Sequence, residues 1–141
     1  MSTVLPTDTT TVTVNDGVPI DFYYVREPSY THKLDGENVY GHVDKLEAYA
    51  QAVYKILNTE RYDYIIYSWN YGIELKDLIG QHKFYVIPEL ERRITEAIMQ
   101  DDRTLSVDGF EFDDSKRGVI SVTFTCHSIH GDYETNMNVE I

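Results

Sequence analysis

The C-terminal part of the chain alternates apolar and polar residues, and this pattern constrains the fold more than any other feature. It runs through "GVISVTFTCHSI" and "YETNMNVEI", which are separated by the turn sequence "HGD". Because successive side chains of a strand point to opposite faces, each run predicts a strand with one buried face. We therefore predict a long, half-buried β-hairpin. Its buried face would comprise Ile120, Val122, Phe124 and Cys126, followed by Tyr133, Thr135, Met137, Val139 and Ile141.

Two segments with helical periodicity precede this hairpin. In "GHVDKLEAYAQAVYKILNTE", apolar residues recur every three or four positions, and Asp44 followed by Glu47 has the pattern of a capping box. In "IPELERRITEAIMQDD", Pro88 suits the first helical turn, where its missing N–H costs nothing. The predicted apolar stripes are Val43, Leu46, Ala50, Val53 and Leu57 in the first helix, and Leu90, Ile94, Ala97 and Ile98 in the second. The predicted outer face of the second helix comprises Glu89, Glu91, Arg92, Arg93 and Glu96.

The run "YDYIIYSWNYG" lies between the two helices and is rich in aromatic and β-branched residues, which predicts a strand. Ile65 and Trp69 would lie on one face and Ile66 on the other, so both faces are partly apolar. We therefore expect this strand to be covered on both sides. Gly72 then allows a sharp bend, and "ELKDLIG" predicts one helical turn closed by Gly80.

Together these segments predict an α+β fold, in which two main helices pack on a small, mainly antiparallel sheet. A further strand, "TLSVDGFEF", is expected to bend at Asp108–Gly109. Residues 1–38, rich in Thr, Pro and Asp, predict an extended arm with local strands. This arm either becomes ordered against a partner or forms a loosely packed segment. Residues 39–141 are predicted to form a single α+β domain.

The charge of the chain limits its partners. It has 24 acidic residues against 12 Lys and Arg, a net charge of −12. Binding to nucleic acid or to an anionic membrane needs clustered cations, so we expect neither. A basic protein partner suits this charge. We also predict no signal peptide and no membrane helix, and the single cysteine, Cys126, excludes an intrachain disulfide.

The sequence offers no catalytic pattern. Asp101–Asp102 and Asp113–Asp114 are adjacent pairs, whereas a glycosidase needs two carboxylates facing each other about 5 to 9.5 Å apart. Cys126 and His127 point to opposite faces of one strand and cannot easily ligate one ion. There is no nucleophile elbow and no phosphate-binding loop. We therefore predict that the chain is not an enzyme and has no metal site or cofactor.

The stretch from Lys33 to Phe112 carries three segments that resemble one family. They read "LDGENVYGHVDKLEAYAQAVYKILNTERYDYIIYSWNYGIELKDLIG", "ELERRITEAIMQDDR" and "DDRTLSVDGFEF". The chain thereby resembles the baseplate wedge and sheath-initiator family of contractile phage tails and phage-tail-like bacteriocins. It is especially similar to the baseplate proteins of defective Bacillus prophages and clostridial tail-like particles. One departure is that Asp101-Asp102-Arg103 stands where the family has Glu-Pro-Arg, which keeps the acid before the arginine but loses the rigid proline turn.

The resemblance implies a structural subunit that links the baseplate wedge to the tail sheath. Its partners would be the larger baseplate wedge proteins and the sheath subunit, with central hub or tube proteins as further candidates. It implies six copies, or a multiple of six, around the tail axis, in a particle assembled in the bacterial cytoplasm. The family offers a sheet that sheath arms extend, and the uncapped last strand of this chain suits strand addition. The alternative is that the chain's own N-terminal arm covers this edge.

Several side chains become candidates for partner binding. Arg61 either pairs with Asp63 or Glu60 on the surface or binds a carboxylate inside a subunit contact. Trp69 and Tyr71 serve the core, an interface or both, since Trp and Tyr are enriched at interface hot spots. The candidates are Arg61, Tyr67, Trp69, Tyr71, Asp101, Asp102, Arg103, Tyr133, Met137, Val139 and Ile141.

Two other functions fit less well. One is a cell-wall hydrolase of the tail, which needs a cleft with two facing carboxylates. The other is a generic acidic adaptor domain unrelated to phage tails. Neighbouring tail genes would favour the structural subunit over the adaptor.

Overall fold

A computed structural model describes residues 9–13, 19–23 and 28–141. Two helices and three antiparallel sheets make up this part of the chain, which confirms the predicted α+β class. The sheets are the hairpins β1–β2 and β3–β4 and the three-stranded sheet β5–β6–β7. In chain order the elements are β1 (Thr9–Thr13), β2 (Pro19–Tyr23), β3 (Thr31–Asp35), β4 (Asn38–Val43), α1 (Lys45–Leu57), a 3₁₀ helix (Lys76–Leu78), α2 (Lys83–Met99), β5 (Thr104–Asp113), β6 (Val119–Ser128) and β7 (Gly131–Glu140).

The three-stranded sheet contains the predicted C-terminal hairpin. β6 and β7 pair without interruption from Val119↔Glu140 to Ser128↔Gly131, which confirms the alternation pattern. The inward side chains of β6 have no exposed surface, and burial raises the pKa of the Cys126 thiol to about 11. Cys126 is therefore a protonated core residue. β5 has a register shift between Asp108 and Glu111, so the predicted bend is also confirmed.

Helix α1 begins where the sequence predicts. The Asp44 carboxylate accepts a hydrogen bond from the Lys45 N–H at 2.7 Å, which confirms Asp44 as the cap. The capping box does not form, because Glu47 instead lies 3.6 Å from the Lys33 ammonium. Tyr49 and Ile56 are buried on the inner face of the helix.

Helix α2 begins at Lys83, four residues before Ile87, the first residue of the predicted segment. The His82 ring accepts the Phe84 N–H at 3.3 Å, and the His82 carbonyl accepts the Val86 N–H at 3.1 Å. Placing Pro88 in the first turn is therefore wrong, since it lies inside the helix. Proline has no main-chain N–H. The helix therefore lacks the hydrogen bond that another residue at position 88 would donate to the Phe84 carbonyl. The predicted inner stripe is confirmed, with Leu90, Ile94, Ala97 and Ile98 all buried.

The assignment of Arg93 to the outer face of α2 is also wrong. Only 9% of Arg93 is exposed, because its guanidinium reaches across to the 3₁₀ helix. It donates to the Asp77 carboxylate at 2.9 Å and to the Glu74 carbonyl at 2.8 Å, and its Nε donates to Glu89 at 3.1 Å. Arg93 thus ties the segment after Gly72 to α2.

The aromatic run between the helices is not a strand. Residues 61–72 form successive turns, in which the Tyr67 N–H donates to the Tyr64 carbonyl at 3.3 Å and the Tyr71 N–H to the Ser68 carbonyl at 3.1 Å. The turn-forming residues Asp63, Ser68 and Asn70 interrupt the apolar run and favour such local bonds. The prediction of a strand covered on both sides is therefore wrong. We call residues 61–72 the aromatic loop.

The two ends of the aromatic loop are held together by main-chain bonds. The Arg61 N–H donates to the Ile73 carbonyl, and the Ile73 N–H donates to the Thr59 carbonyl, each at 3.0 Å. The Arg61 guanidinium also donates to the Gly72 carbonyl at 3.2 Å and to Glu96 of α2 at 3.0 Å. A surface loop with adjoining ends and internal packing is an Ω-loop.

The β3–β4 hairpin packs on α1 through Gln51. The Gln51 side chain accepts the Leu34 N–H at 2.9 Å and donates to the His32 carbonyl at 2.8 Å. The boundary suggested at residue 38 falls inside this hairpin, at the first residue of β4. Of the predicted N-terminal arm, residues 1–8, 14–18 and 24–27 lie outside the described residues.

One polar cluster spans all three strands on the outer face of the main sheet. The ring of His127 on β6 lies between Asp132 on β7, at 2.7 Å from Nδ1, and Asp108 on β5, at 2.8 Å from Nε2. Both ring nitrogens face a carboxylate, so the doubly protonated imidazolium satisfies both contacts. The hydrogen bonds with Asp132 and Asp108 raise the pKa of His127.

Alanine at Gly72 should destabilise the protein more than alanine at Gly80. Both glycines have positive φ, +93° and +83°, and share a strain cost of about 1 kcal/mol or more. A Cβ on Gly72 would lie 2.5 Å from the Thr59 carbonyl oxygen, whereas nothing lies within 4 Å of one on Gly80. We expect a clearly lower urea midpoint for Gly72→Ala than for Gly80→Ala. Equal midpoints would show that the close approach at the loop base is unimportant.

His127 should stabilise the sheet in a pH-dependent manner. A raised folded-state pKa stabilises the fold fully below the unfolded value of about 6.5, and this contribution disappears as the pH rises through the folded value. His127→Gln should therefore lower the melting temperature more at about pH 5.5 than at about pH 9. A loss of the same size at both pH values would contradict the charged bridge.

Candidate partner-binding surfaces

Within the described residues, the outer edge of β7 is unpaired. None of the described strands pairs with it, since β7 is the last strand of its sheet and β1 and β2 pair with each other. The Ile141 N–H donates to the Gly118 carbonyl at 3.0 Å, which fixes the alternation of main-chain bonds along the strand. Odd-numbered residues bond to β6, and even-numbered residues from Asp132 to Glu140 direct their N–H and C=O groups to the open edge.

β7 carries few of the features that protect a strand edge, and its only charges are the carboxylates of Asp132, Glu134 and Glu140. The strand contains no Pro, Lys or Arg, and its pairing with β6 has no bulge. These are the features by which proteins usually prevent strand addition. The opposite edge strand, β5, has two register shifts and packs against α2. Of the two edges, β7 is the more regular template.

The candidate side chains of β7 face inward. Val139 is buried, and the other three candidates, Tyr133, Met137 and Ile141, are partly buried and pack against the core. What β7 can offer a partner is therefore its main chain, together with the outward side chains between these positions.

The aromatic loop exposes several large apolar side chains on the surface. Ile65, Ile66 and Trp69 retain 103%, 84% and 81% of their full exposure. The exposed set also contains Tyr62, Tyr64 and Tyr67. Tyr71 is half-buried and packs against the core, and its ring stacks on Tyr67 with 4.3 Å between centroids. Trp69 and Tyr67 are thus surface residues, and Tyr71 joins them to the core.

Arg61 is used within the chain. Its side chain is only 11% exposed and donates to the Gly72 carbonyl and to Glu96, with the Glu74 carboxylate 3.9 Å away. Neither Asp63 nor Glu60 is among these partners. The prediction of a surface pair with Asp63 or Glu60 is wrong. Arg61 thus stabilises the base of the aromatic loop through hydrogen bonds within the chain.

Arg103 and Asp101 form the compact motif that follows α2. Nε and Nη2 of Arg103 donate to the two oxygens of Asp101 at 2.9 and 2.6 Å, so Arg103 forms a salt bridge within the chain. Burial disfavours the charged form of Asp101, but the hydrogen bonds from Arg103 still hold its pKa below the ordinary value. The guanidinium lies 5.6 Å from the centre of the Tyr49 ring. Asp101 is therefore not a solvated charge.

The Asp101 carboxylate also supplies the turn for which the proline is missing. It accepts the Arg103 N–H at 2.9 Å, and the Asp101 carbonyl accepts the Thr104 N–H at 3.1 Å. A side chain that bonds to the main chain two residues ahead fixes a turn as proline does, by a different route. Asp102, next to it, is half-buried.

Two adjoining depressions connect this motif to the aromatic loop. Their volumes are about 380 and 340 Å³, and both are lined by Ile56, Tyr71, Asp101 and Asp102. Arg103 lines only the larger one. Tyr71 is therefore the residue of the aromatic loop that borders a groove running along α1.

The described residues contain no group of three or more His, Cys, Asp or Glu side chains arranged to hold a metal ion. Within the same part of the chain, no helix has the length and apolar character needed to cross a membrane.

Comparison with known proteins places this architecture in a family. The family described as "Contractile injection system sheath initiator" matches residues 26–131, more than half of the chain. "Phage-like element PBSX protein XkdS" of Bacillus subtilis (strain 168) is 40% identical over 119 residues, which cover 78% of this chain and 82% of that protein. On this match, the chain belongs to the family of contractile injection system sheath initiators.

Proposed function

We propose that this chain is the baseplate subunit of a contractile tail or injection particle on which the first ring of the sheath forms, and that β7 receives the first sheath strand. The open, regular edge of β7 is the observation that carries this proposal. An added strand would take up the outward N–H and C=O groups of the even-numbered residues. The sheath would thus continue an existing sheet without first nucleating a new one.

The outward side chains of β7 favour a particular kind of strand. Asp132, Glu134 and Glu140 are acidic, and Asn136 and Asn138 lie between Glu134 and Glu140. Opposite charges on neighbouring strands stabilise pairing, and like charges oppose it. A sheath segment with Lys or Arg at the facing positions fits this edge best.

The remaining partners follow from the family and from the surfaces described above. We propose contacts with the larger baseplate wedge proteins, and with hub or tube proteins as further candidates, in six copies or a multiple of six around the tail axis. The candidate contact surface comprises the aromatic loop, with Tyr67, Trp69 and Tyr71, and the groove at Asp101, Asp102 and Arg103. The location is the tail baseplate, after assembly in the bacterial cytoplasm.

The hydrolase alternative has no support in the geometry. Asp101 is occupied by Arg103, and Asp113 and Asp114 sit at the exposed end of β5, where Asp114 pairs with Lys83 at 2.7 Å. Retaining or inverting glycosidases need two carboxylates that face each other across the substrate, whereas Asp101 and Asp114 each pair with a basic side chain.

Particles that lack this protein should show tubes or baseplates without polymerised sheath. The reason is that sheath subunits would have no preformed edge from which to extend. Electron microscopy of a deletion strain measures this directly. Sheathed tails of normal length in that strain would refute the proposal.

Asn136→Pro should block sheath initiation while leaving the subunit folded. The Asn136 N–H points to the open edge, so proline removes a donor for the partner strand but no bond to β6. The matched control is Asn136→Ala, which keeps the N–H and should support normal sheaths. We expect Asn136→Pro particles to contain the subunit, as detected by mass spectrometry, and to have no sheath by electron microscopy.

A further inference from the structure

We propose that the aromatic loop is a preformed plug that inserts into an apolar cavity, rimmed by Lys and Arg, on another structural protein of the particle. This inference rests on the proposed function, because it assumes that the chain is a particle subunit. It assigns the loop a role separate from that of β7: the loop would hold the subunit in the baseplate, and the edge would receive the sheath.

The loop leaves several large apolar side chains uncovered. Three adjacent large side chains, Ile65, Ile66 and Trp69, are nearly or fully exposed within five residues. Scattered apolar residues on a surface are ordinary, but a contiguous patch indicates an interaction site. Tyr and Trp, which surround the two isoleucines, are the residues most enriched at the energetic centre of interfaces.

The loop is rigidly presented. Its ends are joined by the main-chain bonds of Arg61 and Ile73, and its rings pack on one another, with 5.7 Å between the centroids of Tyr62 and Trp69. A surface that is already ordered loses less entropy on binding. Residues 61–72 form turns, in which the N–H groups of Asp63, Tyr67 and Tyr71 each donate to the carbonyl three residues back, so the loop has no extended strand edge. Its partner must therefore supply a concave surface instead of an added strand.

The charge of the loop suits burial. Between Tyr62 and Tyr71 the only side chain that is charged at neutral pH is Asp63, and its carboxylate pairs with the Lys76 ammonium. The tip can therefore lose its water without leaving an unpaired charge in the interface.

The net charge of the chain favours a partner with basic residues around its binding cavity. At −12, the chain repels a second copy of itself and attracts a surface bearing Lys and Arg. An anionic membrane is disfavoured for the same reason. A protein with an apolar cavity and a basic rim is therefore the partner that matches both the apolar loop and the negative charge of the chain.

The first test replaces the exposed tip. The combined variant Ile65→Ser, Ile66→Ser and Trp69→Ser should keep the wild-type melting temperature, because these side chains contribute little to the core. Its copy number in purified particles should fall by about tenfold or more, since such residues dominate binding. The matched control is Ile79→Ser with Leu105→Ser, two exposed apolar residues outside the loop. This control should enter particles at the wild-type level.

The second test identifies what the loop touches. A photo-crosslinking aromatic amino acid at position 69 is irradiated in intact particles, and the adducts are mapped by mass spectrometry. We expect adducts with a structural protein other than the sheath subunit, at an apolar segment flanked by Lys or Arg. Adducts with a second copy of this chain, with lipid or with the sheath subunit would overturn the inference, as would the absence of any adduct.

The two proposals fail in different ways. If the loop variant enters particles normally while Asn136→Pro abolishes the sheath, the plug is wrong and the sheath-initiating role stands. If the loop variant is absent from particles while Asn136→Pro forms normal sheaths, the strand-addition role is wrong and the plug stands.

Discussion

The rest of the structure depends on the burial of one face of β6. Ile120, Val122, Phe124 and Cys126 lie on the central strand, and their side chains form one side of the core. α2 packs against β5 and α1 against β7, so the helices cover this face completely enough to exclude water from it. The helices thus serve the face of the sheet, and none of the described strands pairs with the outer edge of β7.

Three arginines then hold in place the segments that lie outside the main helices and strands. Arg61 closes the base of the aromatic loop, Arg93 ties the 3₁₀ helix to α2, and Arg103 with Asp101 shapes the turn into β5. In each case the guanidinium makes several directed hydrogen bonds, including to a carboxylate, which suits its planar set of donors. The guanidinium groups of these arginines are largely withdrawn from solvent. Their ion pairs can therefore hold the loop and the groove in place.

Two different kinds of surface result from this arrangement. One is a strand edge, whose affinity comes from main-chain hydrogen bonds and whose selectivity comes from alternate side chains. The other is a convex apolar loop, whose affinity comes from desolvation of large side chains in a matching cavity. A subunit that starts a polymer on a baseplate needs one contact that anchors it and another that it offers to the first polymer subunit. The edge and the loop have the chemistry for these two tasks.

The sequence by itself determined the class of the fold, the hairpin β6–β7, the cap of α1 and the inner stripe of α2, since each rests on a local period or on a cap. It also singled out the aromatic run and the Asp101-Asp102-Arg103 motif. Only the tertiary structure decided that the aromatic run is a loop, that α2 starts at Lys83 and that Arg61 and Arg93 turn inward. The physical reason is that an apolar run is compatible with a buried strand and with an exposed loop alike. Contacts between residues far apart in sequence, such as Arg61 with Glu96 and Arg93 with Asp77, select between them.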